Sequence, residues 1–165
     1  MHFRMLCMYA YVCVFYNVGS EILVGLSTRT NMIGIESIRR SFPAYPVVTI
    51  DINNLNSNTH KPLHLKSFCS MCGDHSIITG GEEGKQLTKL LERDNKREKY
   101  DFLHVPDASA ANCIFVNNHL LKRSDLEFPV SKPMFESLES NKIDICSDEL
   151  SKVDGALTCC VLLVK

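Results

Sequence analysis

The chain closes on Val153-Asp-Gly-Ala-Leu-Thr-Cys-Cys-Val-Leu-Leu-Val-Lys165, an Asp-Gly turn followed by an apolar run that is typical of a buried β-strand. Side chains alternate between the two faces of a strand, so Cys159 and Cys160 should point to opposite sides. At most one of them can then enter a pocket, while the other packs. The alternative is that both are small buried hydrophobic residues, a common role for free cysteine.

One order of elements occurs three times, the last time ending on this stretch: a short strand, a polar stretch, a second strand that begins with small or reactive residues, and then a helix. The repeats begin at residues 47–50, 102–105 and 143–146. Repeats of this kind predict a radial or solenoid α/β array, in which the beginnings of the strands converge on one axis. Reactive side chains at equivalent positions would then meet.

Helices are predicted at residues 36–42, 82–97 and 133–141. The second begins with acidic residues and ends with basic ones, which suits the helix dipole, and the third has proline in its first turn. The apolar sides of these two helices are predicted to carry Leu87, Leu90, Leu91, Met134, Phe135 and Leu138.

The composition is that of an ordinary globular domain: 165 residues, 45% hydrophobic and 22% charged, with a formal net charge of −1. The mixed charge predicts neither a nucleic-acid nor a membrane partner, which leaves a small molecule or a protein. Eight cysteines, mostly in apolar runs, favour a reduced cytoplasmic protein over a disulfide scaffold. Cys69 and Cys72 form a Cys-x-x-Cys motif near His75, but a structural zinc site needs a second ligand pair, which the sequence lacks at comparable spacing.

Residues 1–18 form an apolar run that is too short to span a bilayer as a helix. The single Arg4 before most of this run imitates a secretory signal. Three interpretations stay open: a β-rich part of the core, a secretory signal, or residues that do not belong to the original domain.

Candidate reactive residues lie near the ends of predicted strands. Arg29 follows an apolar strand at 22–26, His64 precedes a strand, and Cys159 and Cys160 open the last one. A thiol reacts as its thiolate, which a nearby histidine can generate, and an arginine can bind a carboxylate through two hydrogen bonds. Together they suggest attack on an electron-poor carbon of a substrate that carries a carboxylate. Alternatively, His64 is a structural residue between two leucines, and Arg29 pairs with a surface acid.

Four motifs in order resemble animal dimethylarginine dimethylaminohydrolase, a member of the pentein superfamily. The matching stretches are Val24-Gly-Leu-Ser-Thr-Arg-Thr-Asn31, Leu63-His-Leu-Lys-Ser-Phe-Cys-Ser-Met71, Val105-Pro-Asp-Ala-Ser-Ala-Ala-Asn-Cys-Ile114 and Leu150-Ser-Lys-Val-Asp-Gly-Ala-Leu-Thr-Cys-Cys160. The resemblance covers about residues 19–165 and stops at the unusual amino terminus. We therefore expect residues 1–18 to be non-homologous and residues 19–165 to be the carboxyl-terminal part of the family's domain.

The resemblance implies a pentein-type α/β propeller of five ββαβ modules with the active site in its central channel. It implies hydrolysis of asymmetric dimethylarginine or monomethylarginine to citrulline and a methylamine, and hence a role in regulating nitric oxide synthesis. The reaction would need no cofactor and no metal.

The same resemblance implies a role for each matching residue. Cys159 is the nucleophile, His64 the general acid and base, and Arg29 the residue that holds the substrate carboxylate. Val153 contacts the amino-acid end of the substrate through its backbone. Cys113 matches a second cysteine, which we interpret as structural. A zinc ion bound by Cys159 and His64 would inhibit, because it would occupy the nucleophile.

The sequence departs from the family in its amino-terminal half. The acidic residues that bind the guanidinium and orient the histidine are absent from residues 1–18, and about three of the five modules remain. We therefore expect a fragment that is nearly inactive alone. The alternatives are an arginine or agmatine deiminase of the same superfamily, which would release ammonia, and a non-catalytic binding protein derived from the enzyme.

Overall fold

The structure, a computed structural model, describes residues 14–16, 21–56, 62–93, 100–153 and 155–161. Within these residues the chain forms three consecutive modules of the same kind, each a strand, a strand, a helix and a strand. The α/β fold class is therefore confirmed, and the repeating unit is ββαβ. The closing of such modules into a ring stays a prediction.

The three modules share one sheet topology. In each, the first two strands are antiparallel, and the third returns through a helix to lie parallel to the second, which is central. The first module is β1 (Val14–Tyr16), β2 (Ile22–Leu26), α1 (Met32–Ser41) and β3 (Val47–Asp51). The second is β4 (Cys69–Met71), β5 (Ser76–Gly80), α2 (Gly81–Glu92) and β6 (Asp101–Val105). The third is β7 (Ile114–Val116), β8 (His119–Arg123), α3 (Lys132–Glu136) and β9 (Asn141–Ile145), followed by α4 (Asp148–Ser151).

The predicted repeats were out of phase with these modules. Each predicted unit begins on the last strand of one module, β3, β6 or β9, and the first two continue into the first strand of the next. Hydrophobic pattern alone does not tell which strands pair, because pairing is decided by hydrogen bonds across the sheet. The segments that the sequence assigned to the middle of a repeat are therefore connections between modules.

The helices begin and end at different residues than predicted. Helix α1 starts four residues before the predicted residue 36, because the side chain of Asn31 caps it by accepting a hydrogen bond from the backbone N–H of Gly34 at 2.9 Å. Helix α2 ends at Glu92, and the predicted residues 94–97 lie outside the described residues. On α2, Leu87 and Leu91 are buried as predicted, whereas Leu90 is 45% exposed.

The third module contains a hairpin that the sequence analysis missed. Strands β7 and β8 are joined by Asn117 and Asn118, whose φ angles are 50° and 58°. Two consecutive residues with positive φ make the type I′ turn that matches the twist of a hairpin, and asparagine tolerates this conformation. The predicted helix at 133–141 is accordingly shorter, since β9 begins at Asn141 and pairs with β8.

The predicted closing strand is wrong where it carries the cysteines. Residues Leu157–Cys159 form a 3₁₀ turn in which the N–H of Cys159 donates to the carbonyl of Ala156 at 2.9 Å. Both Cys159 and Cys160 are exposed, so they do not divide between a buried and a pocket-facing side. Residues 162–165 of the predicted strand lie outside the described residues.

The predicted boundary after residue 18 stays a prediction. Strand β1 belongs to residues 1–18, on the amino-terminal side of that boundary. It pairs with β2 in antiparallel register, with Val14 opposite Val24. Across the described part of the chain, none of the helices has the length and apolar character needed to cross a membrane.

Candidate active site

Arg29 lies in a tight turn directly after β2. The backbones of Ser27 and Thr30 hydrogen-bond to each other in both directions, at 3.0 and 3.3 Å, and the N–H of Arg29 donates to the hydroxyl of Ser27 at 3.0 Å. Thr30 is buried and Arg29 is exposed. The turn therefore presents the guanidinium to solvent from a fixed backbone.

His64 lies in the connection between the first and second modules. It is half-buried, has extended backbone angles, and precedes the 3₁₀ turn Leu65–Ser67. Leu65 is fully buried and packs against Gly25 of β2, where an added Cβ would lie 3.0 Å from the Cβ of Leu65. The absence of a side chain at Gly25 thus lets the His64 turn lie close to β2, the strand that precedes the Arg29 turn.

Cys159 lies in the connection that follows the third module. Leu157 anchors this 3₁₀ turn with 7% exposure, while the thiol-bearing residue is exposed. The turn is reached from α4 through Gly155, whose N–H donates to the carbonyl of Leu150 at 3.0 Å. An added Cβ at Gly155 would lie 2.9 Å from the backbone carbonyl oxygen of Leu150, so this close approach favours glycine.

Asn112 joins the His64 and Cys159 turns. Its side-chain amide donates to the carbonyl of Lys66 at 2.7 Å and to the hydroxyl of Thr158 at 2.8 Å. Its amide oxygen accepts from the N–H of Thr158 at 3.1 Å. Lys66 is two residues after His64, and Thr158 directly precedes Cys159. Segments 46 residues away on either side of Asn112 are therefore held together by one buried side chain.

Val153 lies one turn beyond α4 and is 75% exposed. Its N–H donates to the carbonyl of Leu150 at 3.2 Å, and its own carbonyl lies beyond the end of α4 at Ser151. The described contacts do not join Val153 to the Asn112 network. Asn112 thus joins the turns of His64 and Cys159 by hydrogen bonds, and the His64 turn packs through Leu65 on the strand that precedes Arg29.

Three other cysteines are buried among apolar side chains. Burial raises the pKa of Cys72 to about 12 and also raises the pKa values of Cys69 and Cys113 well above the ordinary range. The thiol of Cys113 lies 3.6 Å from the carbonyl oxygen of Met71, in a position to donate to it. These thiols stay protonated and unreactive, which suits the structural role predicted for Cys113.

Among the residues described, one grouping of three potential metal ligands lies within 4.8 Å: Glu127, Cys146 and Asp148. The guanidinium of Arg123 already occupies the cationic position there, 2.5 Å from Glu127 and 3.7 Å from Asp148. This grouping is therefore a structural ion-pair cluster. It is separate in sequence from Cys159 and His64, where an inhibitory zinc remains a prediction.

Sequence reasoning missed Asn112. It lies inside the third motif, yet an asparagine among alanines carries no obvious chemistry. The signal that could have found it is its position. Like His64 and Cys159, it lies at one end of a 3₁₀ turn in the connection that follows a module.

No protein-family model matches the chain. Human DDAH2 is 27% identical over 154 residues, which cover 88% of this chain and 52% of the human protein. The N(G),N(G)-dimethylarginine dimethylaminohydrolase of Pseudomonas aeruginosa is 23% identical over 147 residues, which cover 86% of this chain and 51% of that enzyme. The chain therefore spans about half the length of the curated relatives it matches.

Solved structures agree with these relatives. The Pseudomonas aeruginosa enzyme, as a cysteine-to-serine variant complexed with citrulline, has a TM-score of 0.66 and 20% identity over 88% of this chain and 52% of its own. An agmatine deiminase from C. jejuni has a TM-score of 0.64 and 14% identity over 89% of this chain and 52% of its own. The amidinotransferase SxtG from Microseira wollei has a TM-score of 0.67 and 17% identity over 88% of this chain and 44% of its own.

The structural likeness shows the fold: the chain has the α/β fold that these hydrolase, deiminase and amidinotransferase structures share. Within that class, the resemblance stated from the four motifs is confirmed. The chain is similar in sequence and in fold to dimethylarginine dimethylaminohydrolases over most of its length.

Proposed function

We propose that this chain carries the nucleophile-bearing part of a hydrolase that acts on methylated arginine. The observation that carries the proposal is the Asn112 bridge, which holds the turn before Cys159 against the turn after His64. Cys, His and Arg in three adjoining connections are the residue types that attack on a guanidinium carbon requires. The Pseudomonas aeruginosa relative, complexed with citrulline as a cysteine-to-serine variant, supports this product class.

In the proposed reaction the Cys159 thiolate attacks the guanidinium carbon of the methylated arginine. His64 then gives a proton to the departing methylamine, which leaves a covalent thiouronium on the sulfur. Water, deprotonated by His64, attacks the same carbon and releases citrulline and the thiol. Methylarginine and water are thus converted to citrulline and a methylamine, with no cofactor and no metal.

The remaining roles concern substrate binding. Arg29 would hold the substrate carboxylate, which the exposed guanidinium on a rigid turn suits. Val153 would contact the amino-acid end through its backbone. The acids that would bind the guanidinium belong, by resemblance, to a half that the chain does not match, and we propose that turnover is slow without them. A cytoplasmic location and a role in regulating nitric oxide synthesis are part of the same proposal.

The test is covalent labelling of the purified chain with 2-chloroacetamidine, followed by mass mapping of each cysteine. We expect Cys159 to react faster than the exposed thiols of Cys160 and Cys146, and asymmetric dimethylarginine to slow that reaction. In parallel, citrulline formed from dimethylarginine should vanish in Cys159→Ser and persist in the matched control Cys160→Ser. Equal labelling of the three thiols, with no citrulline, would refute the proposal.

A deiminase is the second candidate, because the agmatine deiminase of C. jejuni has nearly the same TM-score as the hydrolase. The sequence identity favours the hydrolase, at 20% against 14%. Product analysis separates the two, since arginine or agmatine would yield ammonia and dimethylarginine would yield dimethylamine. An inert Cys159 with retained binding of dimethylarginine would instead favour a binding protein.

A further inference from the structure

We propose that Asn112 is a positioning residue that sets the geometry between the Cys159 thiol and the His64 imidazole. This inference rests on the proposed function, in which those two side chains act on the same substrate carbon. Asn112 touches neither side chain's reacting atoms and acts through the turns that carry them.

The hydrogen bonds of Asn112 define its orientation without ambiguity. The carbonyl of Lys66 can only accept a hydrogen bond and the N–H of Thr158 can only donate one. The amide nitrogen must therefore face Lys66 at 2.7 Å, and the amide oxygen must face the N–H of Thr158 at 3.1 Å. Both amide hydrogens are used, because the second is donated to the hydroxyl of Thr158 at 2.8 Å.

The bridge is held on a rigid base. Asn112 is 2% exposed and ends the 3₁₀ turn Ala108–Ala111, with its N–H donating to the carbonyl of Ser109 at 3.3 Å. The N–H of Cys113, the next residue, donates to the hydroxyl of Ser70 at 3.3 Å. On the other side of the turn, an added Cβ at Gly80 would lie 2.6 Å from the carbonyl oxygen of Asp107. A side chain on such a base can transmit its position to both partners.

The link to each reactive side chain is short. Thr158 uses two groups, its N–H and its hydroxyl, on the same amide, so both the position and the rotation of the turn are constrained one residue before Cys159. The Lys66 carbonyl lies within the 3₁₀ turn that His64 begins. Loss of the amide would therefore let the two turns move relative to each other.

The substitution that tests this is Asn112→Asp, which keeps the size of the side chain. Its carboxylate would face the Lys66 carbonyl oxygen, which the amide nitrogen now contacts at 2.7 Å, so attraction becomes repulsion. The readout is the rate at which iodoacetamide alkylates Cys159 in the full chain, with the exposed thiol of Cys146 as internal reference. We expect the alkylation of Cys159 to slow, because a histidine beside a thiol favours the reactive thiolate, and the alkylation of Cys146 to stay unchanged.

A double-mutant cycle separates positioning from a merely structural role. If Asn112 acts by orienting His64 toward the thiol, His64→Ala should slow Cys159 in the natural chain and have little further effect in Asn112→Asp. Three results would each overturn the inference. The two substitutions could lower the alkylation rate of Cys159 by independent factors that multiply. Alternatively, either His64→Ala or a folded Asn112→Asp chain could leave that rate unchanged.

Two further variants guard against loss of folding. Thr158→Val removes only the hydroxyl that accepts at 2.8 Å and should slow the alkylation of Cys159 less than Asn112→Asp does. Thr158→Ser keeps both hydrogen bonds and should keep the natural rate. Asn118→Asp makes the same chemical change in the exposed hairpin turn and should leave the rate unchanged. A larger decrease in the alkylation rate of Cys159 in Thr158→Ser than in Thr158→Val would contradict the mechanism.

Failure of this inference and failure of the proposed function are distinguishable, because alkylation requires no methylarginine. A chain that forms no citrulline but shows the non-additive cycle would refute the function and keep the positioning role. A chain that forms citrulline and shows independent effects of His64 and Asn112 would do the reverse.

Discussion

Glu127 offers a test of how the connection to Cys159 is held to the third module. One of its carboxylate oxygens accepts from the guanidinium of Arg123 at 2.5 Å and from the N–H of Ser147 at 3.3 Å, and the other accepts from the N–H of Ser124 at 3.0 Å. Ser147 directly precedes α4. Glu127→Gln removes the negative charge of the carboxylate and places a neutral amide group against the guanidinium of Arg123, which is a hydrogen-bond donor.

The magnitude follows from burial. The side chains of Arg123 and Glu127 are 9% and 6% exposed, so the substitution leaves a nearly buried cation whose remaining ion-pair partner among the described residues is Asp148 at 3.7 Å. Breaking one side of a buried ion pair costs about 3–5 kcal/mol, and the remaining carboxylate places the expected loss at about 3 kcal/mol. For a chain of this length that is a fall in melting temperature of roughly 6–12 °C.

The matched control is Glu149→Gln. Glu149 pairs with Lys152 at the same distance, 2.5 Å, but the two side chains are 87% and 66% exposed. An exposed pair contributes less than about 1 kcal/mol. The assay is urea unfolding of both variants and the natural chain, followed by circular dichroism. Equal losses in the two variants, or a loss below about 1 kcal/mol in Glu127→Gln, would refute the argument from burial.

The pH dependence gives a second measurement on Glu127. Burial raises the pKa of its carboxyl, but the hydrogen bonds it accepts, first from Arg123, outweigh this and lower the pKa from the usual 4.5 to about 2. A carboxyl whose pKa is lower in the folded state stabilises the fold above its unfolded pKa and loses that contribution as the pH falls through about 2. The difference in stability between the natural chain and Glu127→Gln should therefore narrow between pH 4.5 and pH 2.

Two further predictions concern His104 on β6 and Gly155 before the Cys159 turn. Burial, assisted by Lys85, lowers the pKa of His104, so its contribution to stability is present above about pH 6.5 and lost as the pH falls through the pKa of the folded state. The melting temperature of His104→Gln should therefore fall less steeply below about pH 6.5 than that of the natural chain. Equal slopes in the two chains would contradict this. Gly155→Ala places a Cβ 2.9 Å from the backbone carbonyl oxygen of Leu150 and should cost about 1–3 kcal/mol by urea unfolding while slowing alkylation of Cys159. Unchanged stability and an unchanged alkylation rate would show that the close approach is not required.

The amino-acid sequence was sufficient for the elements whose signals are local. The apolar run of β2 and the polar turn that holds Arg29 were predicted at the residues where they occur. Local signals for the missed elements also exist, since Asn31 caps α1 and the Asn117-Asn118 pair is a hairpin turn of the type that positive φ requires. The start of α1 and the hairpin between β7 and β8 are therefore marked by capping and turn residues, which the hydrophobic pattern does not show.

The site was only partly predictable from the chain. The four motifs name Arg29, His64, Val153 and Cys159 by resemblance, but they say nothing of how the segments meet. An apolar run with two cysteines favours a strand by local propensity. The structure places a 3₁₀ turn there instead, bound through Thr158 to an amide that is 46 residues away in sequence. Long-range hydrogen bonds of this kind leave no local pattern.

The sequence by itself determined the three-fold repetition, the motifs and the chemical types of the candidate residues, because these depend on residue identity and short-range periodicity. The tertiary structure alone decided where the modules begin and end and which thiols are exposed. It buries Cys69, Cys72 and Cys113 and exposes Cys159, although all four occur in largely apolar stretches of the sequence. Burial and strand pairing are collective properties of the packed chain, so they follow from contacts between distant residues.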